Sequence, residues 1–173
     1  MNYAIRSEES KDIEQVRGIL CASFASDAES RLVDLLRANG KATISLVAVT
    51  DEKVLGHILF SPVSISLPGG APPSVDTKGI GLAPVVVRRD VQAHGIGSRL
   101  IRAGLRLCQE LGFDYCVVLG SPGYYQRFGF EKASRFGIEN EYRVDNEFMV
   151  LRFTDCQLTG VVRYAPEFAM FAV

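Results

Sequence analysis

Val85-Val86-Val87-Arg88-Arg89-Asp90-Val91-Gln92-Ala93-His94-Gly95-Ile96-Gly97-Ser98-Arg99-Leu100-Ile101 decides the fold, because a run of β-branched residues breaks into glycines that open an amphipathic helix. Gly95 and Gly97 let the backbone approach a ligand with no Cβ in the way. The unpaired N–H groups of the first helical turn point outward with the positive end of the helix dipole behind them. The pattern predicts a phosphate-binding loop, with an ordinary strand-to-helix turn as the plain alternative. A dinucleotide fingerprint would place a third glycine at Leu100 and an acidic residue at the end of the next strand, whereas Asp114 stands at the start of one. A Walker loop would end in Gly-Lys-Ser/Thr, a tripeptide the chain lacks.

Gln92-x-x-Gly95-x-Gly97 after an apolar strand resembles the pyrophosphate-binding motif Q/R-x-x-G-x-G/A of the GNAT superfamily of acyl-CoA-dependent N-acetyltransferases. Further on, Cys116-Val117-Val118-Leu119-Gly120 reads as a buried strand, and Ser121-Pro122-Gly123-Tyr124-Tyr125-Gln126-Arg127-Phe128-Gly129-Phe130 as a turn, a short helix and a glycine stop. This segment is similar to the superfamily's second hallmark, aromatic-Tyr-x-Lys/Arg-x-Gly-Phe. The motifs stand in the family's order, separated by about one helix and one strand, as a right-handed βαβ unit requires. Gly56–Val63, Leu82–Val85 and Gly160–Phe168 extend the resemblance over nearly the whole chain, to the bacterial YhbS-type subgroup of predicted N-acetyltransferases. Ser121 departs from that subgroup, which commonly carries an acidic residue there.

Composition agrees with one soluble enzyme domain. A chain of 173 residues, 47% hydrophobic, is long enough for one core and short for two, which predicts a single domain over 1–173. Nineteen Lys and Arg against 20 acidic residues supply no global charge to recruit nucleic acid or an anionic membrane. The opening Met1–Glu9 is charged and lacks an apolar core, so a cytoplasmic protein without a secretory signal is expected. Four scattered cysteines without a Cys-x-x-Cys pair, beside two histidines, predict reduced thiols and no metal site. Cys116, inside an apolar strand, reads as packing rather than as a nucleophile.

Tyr3–Arg6 predicts a first strand, and Ser10 the cap of a helix carrying Ile13, Val16, Leu20 and Phe24, with Asp12 and Glu14 in its first turn. A second helix runs from about Glu29 through Leu32, Leu35 and Leu36 to Asn39-Gly40. Ile44–Val49 and Val54–Ile65 form a hairpin around Asp51-Glu52-Lys53, and the stretch Pro68–Pro73 is an exposed loop. The helix after the glycines carries Ile96, Leu100, Ile101, Leu105, Cys108 and Leu111 on one side and stops at Gly112; Arg99, Arg102, Arg106 and Glu110 read as its solvated face, with a phosphate contact by Arg99 or Arg102 as the alternative. Phe148–Phe153 and Val161–Tyr164 add strands. The expected class is α/β: a mixed, mostly antiparallel twisted sheet with helices on both faces. The resemblance adds two central parallel strands that splay apart, with the coenzyme's pantetheine arm in the gap.

The resemblance implies acetyl-CoA as cosubstrate, with the backbone of Val85, Val86 and Val87 pairing with its pantetheine arm. The amides of Gln92, Ala93, His94, Gly95, Ile96, Gly97 and Ser98 would hold its pyrophosphate. An amine attacks the thioester directly, and a backbone N–H at Val86 or Val87 stabilises the developing oxyanion. By motif matching Tyr125 is the acid that protonates the leaving thiolate and a coenzyme contact, with packing alone as the alternative; Tyr124 takes the place of a packing aromatic. The general base is not marked. His57 is a candidate that also reads as a hydrogen-bonded structural histidine, Asp27 and Glu29 are candidates to attract a cationic acceptor or to cap and solvate a helix, and His94 reads as a surface residue near phosphate.

Three functions stay open on these residues: an acetyl-CoA-dependent N-acetyltransferase acting on a small-molecule or peptide amine, an acyl-CoA-binding regulatory module with little transfer, and a nucleotide-binding protein. The intact pair of motifs favours the first. No nucleic-acid or membrane partner is expected, and a homodimer is compatible with the chain.

Overall fold

The computed structural model describes residues 1–73 and 75–171. Its strands are β1 (Ala4–Ser7), β2 (Ile44–Thr50), β3 (Lys53–Ser66), β4 (Gly79–Val87), β5 (Tyr115–Leu119), β6 (Glu131–Lys132), β7 (Ile138–Asn140), β8 (Phe148–Arg152) and β9 (Gly160–Arg163). Its α-helices are α1 (Ile13–Ser23), α2 (Ala28–Ala38), α3 (Ile96–Glu110) and α4 (Pro122–Tyr125). The chain forms two compact units: Met1–Ser61 with Ala83–Leu107, and Pro62–Leu82 with the chain from Cys108 onward.

In the first unit β1, β2 and β3 pair antiparallel, with Ala4 opposite Val49 and Val47 opposite His57, and β4 follows β3. The β2–β3 hairpin closes over two residues, Asp51 and Glu52, at φ 46° and 64°. Such a turn matches the twist of the strands it joins, and Lys53, expected in the turn, is the first residue of β3. The burial of Val16, Ile19 and Leu20 orients α1, and that of Leu32, Val33 and Leu36 orients α2. Leu35, expected on the buried stripe, is 41% exposed; Val33 takes its place. Ser10 does not cap α1: it lies in a 3₁₀ turn entered through a reciprocal Glu9–Asp12 box.

Small residues on β3 and α3 set where this helix packs. A Cβ on Gly56 would meet Leu100 Cδ1 at 3.1 Å and Ile96 Cγ2 at 3.4 Å, and the Phe60 ring fills the space beside Gly104. The face of β3 that carries Gly56 and Phe60 therefore receives α3, and strand alternation turns His57 to the opposite face. Leu111, expected on the apolar side of this helix, is 51% exposed because it lies past the helix end, where Gly112 takes φ 81°.

In the second unit β4 runs parallel to β5, Gly79–Gly81 against Tyr115–Val117, and β5 pairs antiparallel with β8. Beyond that parallel ladder β4 runs on to Val87 and β5 to Leu119. The strand β6 adds to β8, β9 pairs antiparallel with β3, and β7 lies parallel to β9. At two and three residues, β6 and β7 are too short for any alternation to announce them. Among the described residues no helix is long and apolar enough to cross a membrane.

Candidate active site

Val85, Val86 and Val87 end β4 with only Val86 buried, at 5% exposure. Arg88 N–H donates to Leu55 O on β3 at 2.8 Å. The alternation of a strand turns the N–H of neighbouring Val87 to the other edge. Gln92 Nε2 then donates to Val87 O at 3.1 Å, tying the following loop to the strand end.

The loop is shaped by its backbone. Ala93 and Gly95 take φ 64° and 80°, and nothing lies within 4 Å of where a Gly95 Cβ would stand. His94 Nδ1 lies 3.2 Å from Val91 O and 2.9 Å from Gln92 O, so this nitrogen carries the proton and fastens the turn. Arg99 N–H donates to Gly95 O at 3.1 Å, and the amides of Ile96, Gly97 and Ser98 therefore precede the first intrahelical bond of α3. Ile96 is buried and anchors the helix; Gln92, Ala93, His94 and Gly95 are exposed. A helix start with free amides, a left-handed glycine and open space beside it fits a pyrophosphate approaching from solvent. The Arg99 guanidinium lies over the Tyr3 ring at 5.0 Å.

His57 sits in a closed polar cluster of the same unit. It is fully buried, and its Nε2 lies 2.9 Å from both Glu8 Oε2 and Ser45 Oγ. Ser45 Oγ donates to Glu8 Oε2 at 2.9 Å, and Arg37 of α2 grips both oxygens of Glu8 at 2.6 and 3.0 Å. Arg37 also bonds Asp34 at 2.7 Å, and Asp34 pairs with Arg17 of α1. Glu8 is drawn down to about 2 by His57 and Arg37 against the cost of burial, while burial lowers His57. These surroundings support the structural role of His57: its Nε2 is held by Glu8 and Ser45, and its Nδ1 is buried away from solvent without a hydrogen-bond partner. Asp27, at the start of α2, is exposed and makes no side-chain cap; Ser26 Oγ accepts from Ala28 N–H instead. Glu29 is half-buried, and its Oε2 is buried without a hydrogen-bond partner.

Tyr125 belongs to the second unit, at the end of α4. The helix starts on Ser121, whose carbonyl accepts from Tyr124 and Tyr125 N–H, and the segment stops at Gly129 with φ 95°. Tyr125 is 8% exposed and stacks edge-on with Tyr124 at 5.1 Å and Phe130 at 5.8 Å. Its ring occupies the space a Cβ on Gly120 would need, so that glycine seats the phenol. Burial pushes the Tyr125 hydroxyl up to about 12, which keeps it protonated at neutral pH. Tyr124 is held by Arg127, whose Nε donates to the Tyr124 carbonyl at 3.0 Å. Cys116 is fully buried with its thiol raised well above the ordinary range, as a packing residue would be. Among the described residues no group of three or more His, Cys, Asp or Glu converges as a metal site.

The chain belongs to the acetyltransferase (GNAT) family, whose model matches residues 13–130 and so takes in both the glycine loop and the tyrosine segment. It is 36% identical to the uncharacterized N-acetyltransferase YhbS of Escherichia coli (strain K12), over 96% of this chain and 99% of that protein. The crystal structure of E. coli YhbS in complex with CoA matches all of this chain and 95% of that one, with a TM-score of 0.90 and 34% identity. A GNAT family acetyltransferase from Brucella melitensis, in complex with acetyl-CoA, matches 96% of this chain and 98% of its own at a TM-score of 0.78 and 37% identity. The expected α/β fold, a mostly antiparallel mixed sheet with helices, is therefore the fold of this family.

Proposed function

We propose that the chain is an acetyl-CoA-dependent N-acetyltransferase, one catalytic domain that passes an acetyl group to a primary amine by direct attack in a ternary complex. The observation that carries this is the amide-rich start of α3 behind Gly95, in a chain whose relatives from E. coli and B. melitensis hold CoA and acetyl-CoA. Support for one domain comes from β3 and β4, which run through both compact units, and from the family match, which spans both.

In this reading the amides from Gln92 to Ser98 hold the pyrophosphate and the backbone of Val85–Val87 pairs with the pantetheine arm. The edge-facing N–H of Val87, rather than Val86, donates to the thioester oxygen as it gains charge. The amine nitrogen bonds to the carbonyl carbon, the C–S bond breaks, and the thiolate takes the Tyr125 proton. The amine's own proton leaves to water. The desolvation that raises Tyr125 also raises a thiol in the same surroundings, so acid and leaving group stay matched.

The test is thiol release from acetyl-CoA over a panel of primary amines, with Tyr125→Phe as the diagnostic variant. The ring is kept and the proton lost, so kcat falls about ten- to a thousandfold while CoA affinity is little changed. A panel with no thiol release above the rate in buffer overturns the transferase reading. A Tyr125→Phe enzyme that turns over normally overturns the role of the phenol.

A further inference from the structure

A second polar cluster, wholly within the second unit, is used by none of these steps. Asn140, 3% exposed at the end of β7, builds a tight turn: its Oδ1 accepts from Tyr142 N–H at 3.0 Å and Val144 N–H at 3.3 Å, and its Nδ2 donates to Val144 O at 2.6 Å. Glu141 N–H is fixed to Val162 O of β9 at 3.1 Å. The turn presents Glu141 and Tyr142, and the Tyr142 hydroxyl donates to the Glu141 carboxylate. Beneath them lies Tyr164, 7% exposed, its ring 5.9 Å from that of Tyr142 and 5.1 Å from that of Phe168. The Tyr164 hydroxyl is buried and has no hydrogen-bond partner.

From this arrangement we infer that Glu141, Tyr142 and Tyr164 form a subsite for a fixed cation on the acceptor, and hence that the acceptor is a diamine whose second amino group is acetylated. The inference rests on the transferase reading above. A buried hydroxyl without a partner costs roughly 1–3 kcal/mol, which a ligand that supplies the partner offsets. An ammonium group supplies it, since a carboxylate and aromatic faces together attract a cation with N–H donors. Arg163 Nη1, at 3.8 Å from Glu141 and 57% exposed, is a solvated neighbour that offsets little of that attraction.

A carboxylate favours the charged form of any amine it holds, so an amine seated on Glu141 stays protonated and does not attack a thioester. The nucleophile is therefore a different amino group of the same molecule. The spacing agrees: the Tyr164 ring lies against Gly81, which pairs with Val117, and the Tyr125 ring lies against Gly120, three residues further along, about 10 Å at the rise of a strand. A chain of several methylene groups spans most of such a distance.

The test compares cadaverine with pentylamine, the same chain lacking the second amine, as acceptors with acetyl-CoA. The wild-type kcat/KM is expected to favour cadaverine by about tenfold or more. Glu141→Gln removes that preference and leaves pentylamine unchanged. Tyr164→Phe raises KM for cadaverine with kcat held, and thermal stability is equal or higher because the unsatisfied hydroxyl is gone; a merely structural tyrosine would leave KM alone. Equal kcat/KM for the two amines, or a preference that survives Glu141→Gln, overturns the inference and leaves the transferase reading intact. Should neither amine be acetylated, calorimetric titration of cadaverine into the CoA-loaded protein decides. Binding lost in Glu141→Gln upholds the subsite, and no binding to the wild type overturns it, whatever other amines release thiol.

Discussion

The chain has two histidines, and they occupy opposite kinds of place in the same unit. His94 lies in an exposed loop, its Nδ1 on two carbonyls of its own turn, beside helix amides that precede the first intrahelical bond. His57 is sealed between Glu8, Ser45 and the strands, in a cluster where Glu8, Arg37 and Asp34 are each held by an opposite charge. Polar groups left open to solvent at a helix start are a place to receive an anion; charges buried and mutually neutralised hold strands to a helix. The lesson concerns titratable side chains. Histidine chemistry near neutral pH is no guide to a catalytic base when the ring is fully buried and one of its nitrogens is held by a carboxylate and a hydroxyl.

Removing one member of the buried cluster should have the largest effect. Glu8→Gln removes the carboxylate that Arg37 grips with two nitrogens, leaving it Asp34 alone, and is expected to cost about 3 kcal/mol in urea unfolding at pH 7. The pH dependence carries the same sign. Glu8 is lower in the folded protein, about 2, than its ordinary 4.5, so its contribution is complete above 4.5 and is lost as pH falls toward 2. His57 is also lowered from 6.5, so the unfolded chain binds that proton first and stability begins to fall below about 6.5. In Glu8→Gln the lower part of this acid limb flattens and the His57 part stays. An acid limb unchanged by Glu8→Gln would show that the cluster is not the source of the protein's stability.

The open region answers to a different measurement. Gly97→Val places a branched Cβ in the first turn of α3, where the proposed pyrophosphate approaches, and CoA affinity should fall at least about a hundredfold by calorimetry. Urea unfolding should move by no more than about 1 kcal/mol, the ordinary scale of a helix-terminal substitution. Unchanged CoA affinity in the folded variant would strip the loop of its assigned role and leave the two histidine regions alike in being structural.

What the sequence made legible follows the same division. The loop from Gln92 to Ser98 and the segment from α4 to Phe130 are built from backbone and adjacent residues, so their order along the chain displays them. The Glu8–Ser45–His57–Arg37 cluster draws on β2, β3, α2 and the residue after β1, and no local pattern joins those positions. His57 was visible as a histidine in an apolar strand, while its partners were not. Gly120 shows the same limit: its need to be glycine comes from the Tyr125 ring that folds over it. Leu35 and Val33 exchanged places because helical spacing alone offers both to a stripe, and packing selects one. The Asn140 turn could have been suspected from Asn140-Glu141-Tyr142-Arg143, yet Tyr164 reaches it only through the pairing of β7 with β9.

The smallest effect is expected at the exposed histidine, and it makes the contrast with His57 most exact in kind. His94→Ala removes one N–H that serves two carbonyls, which solvent then hydrates, so the loss in stability should stay near or below about 0.5 kcal/mol. The loop's shape is set by Ala93 and Gly95 in left-handed conformations, and these are untouched. Because backbone amides carry the anion in the proposed mode, CoA affinity should weaken by no more than about threefold. Calorimetry with CoA and urea unfolding read both quantities on the same protein. A hundredfold loss of affinity with normal stability would mean that the His94 imidazole itself holds phosphate, and the loop would then act through a side chain as well as through its backbone.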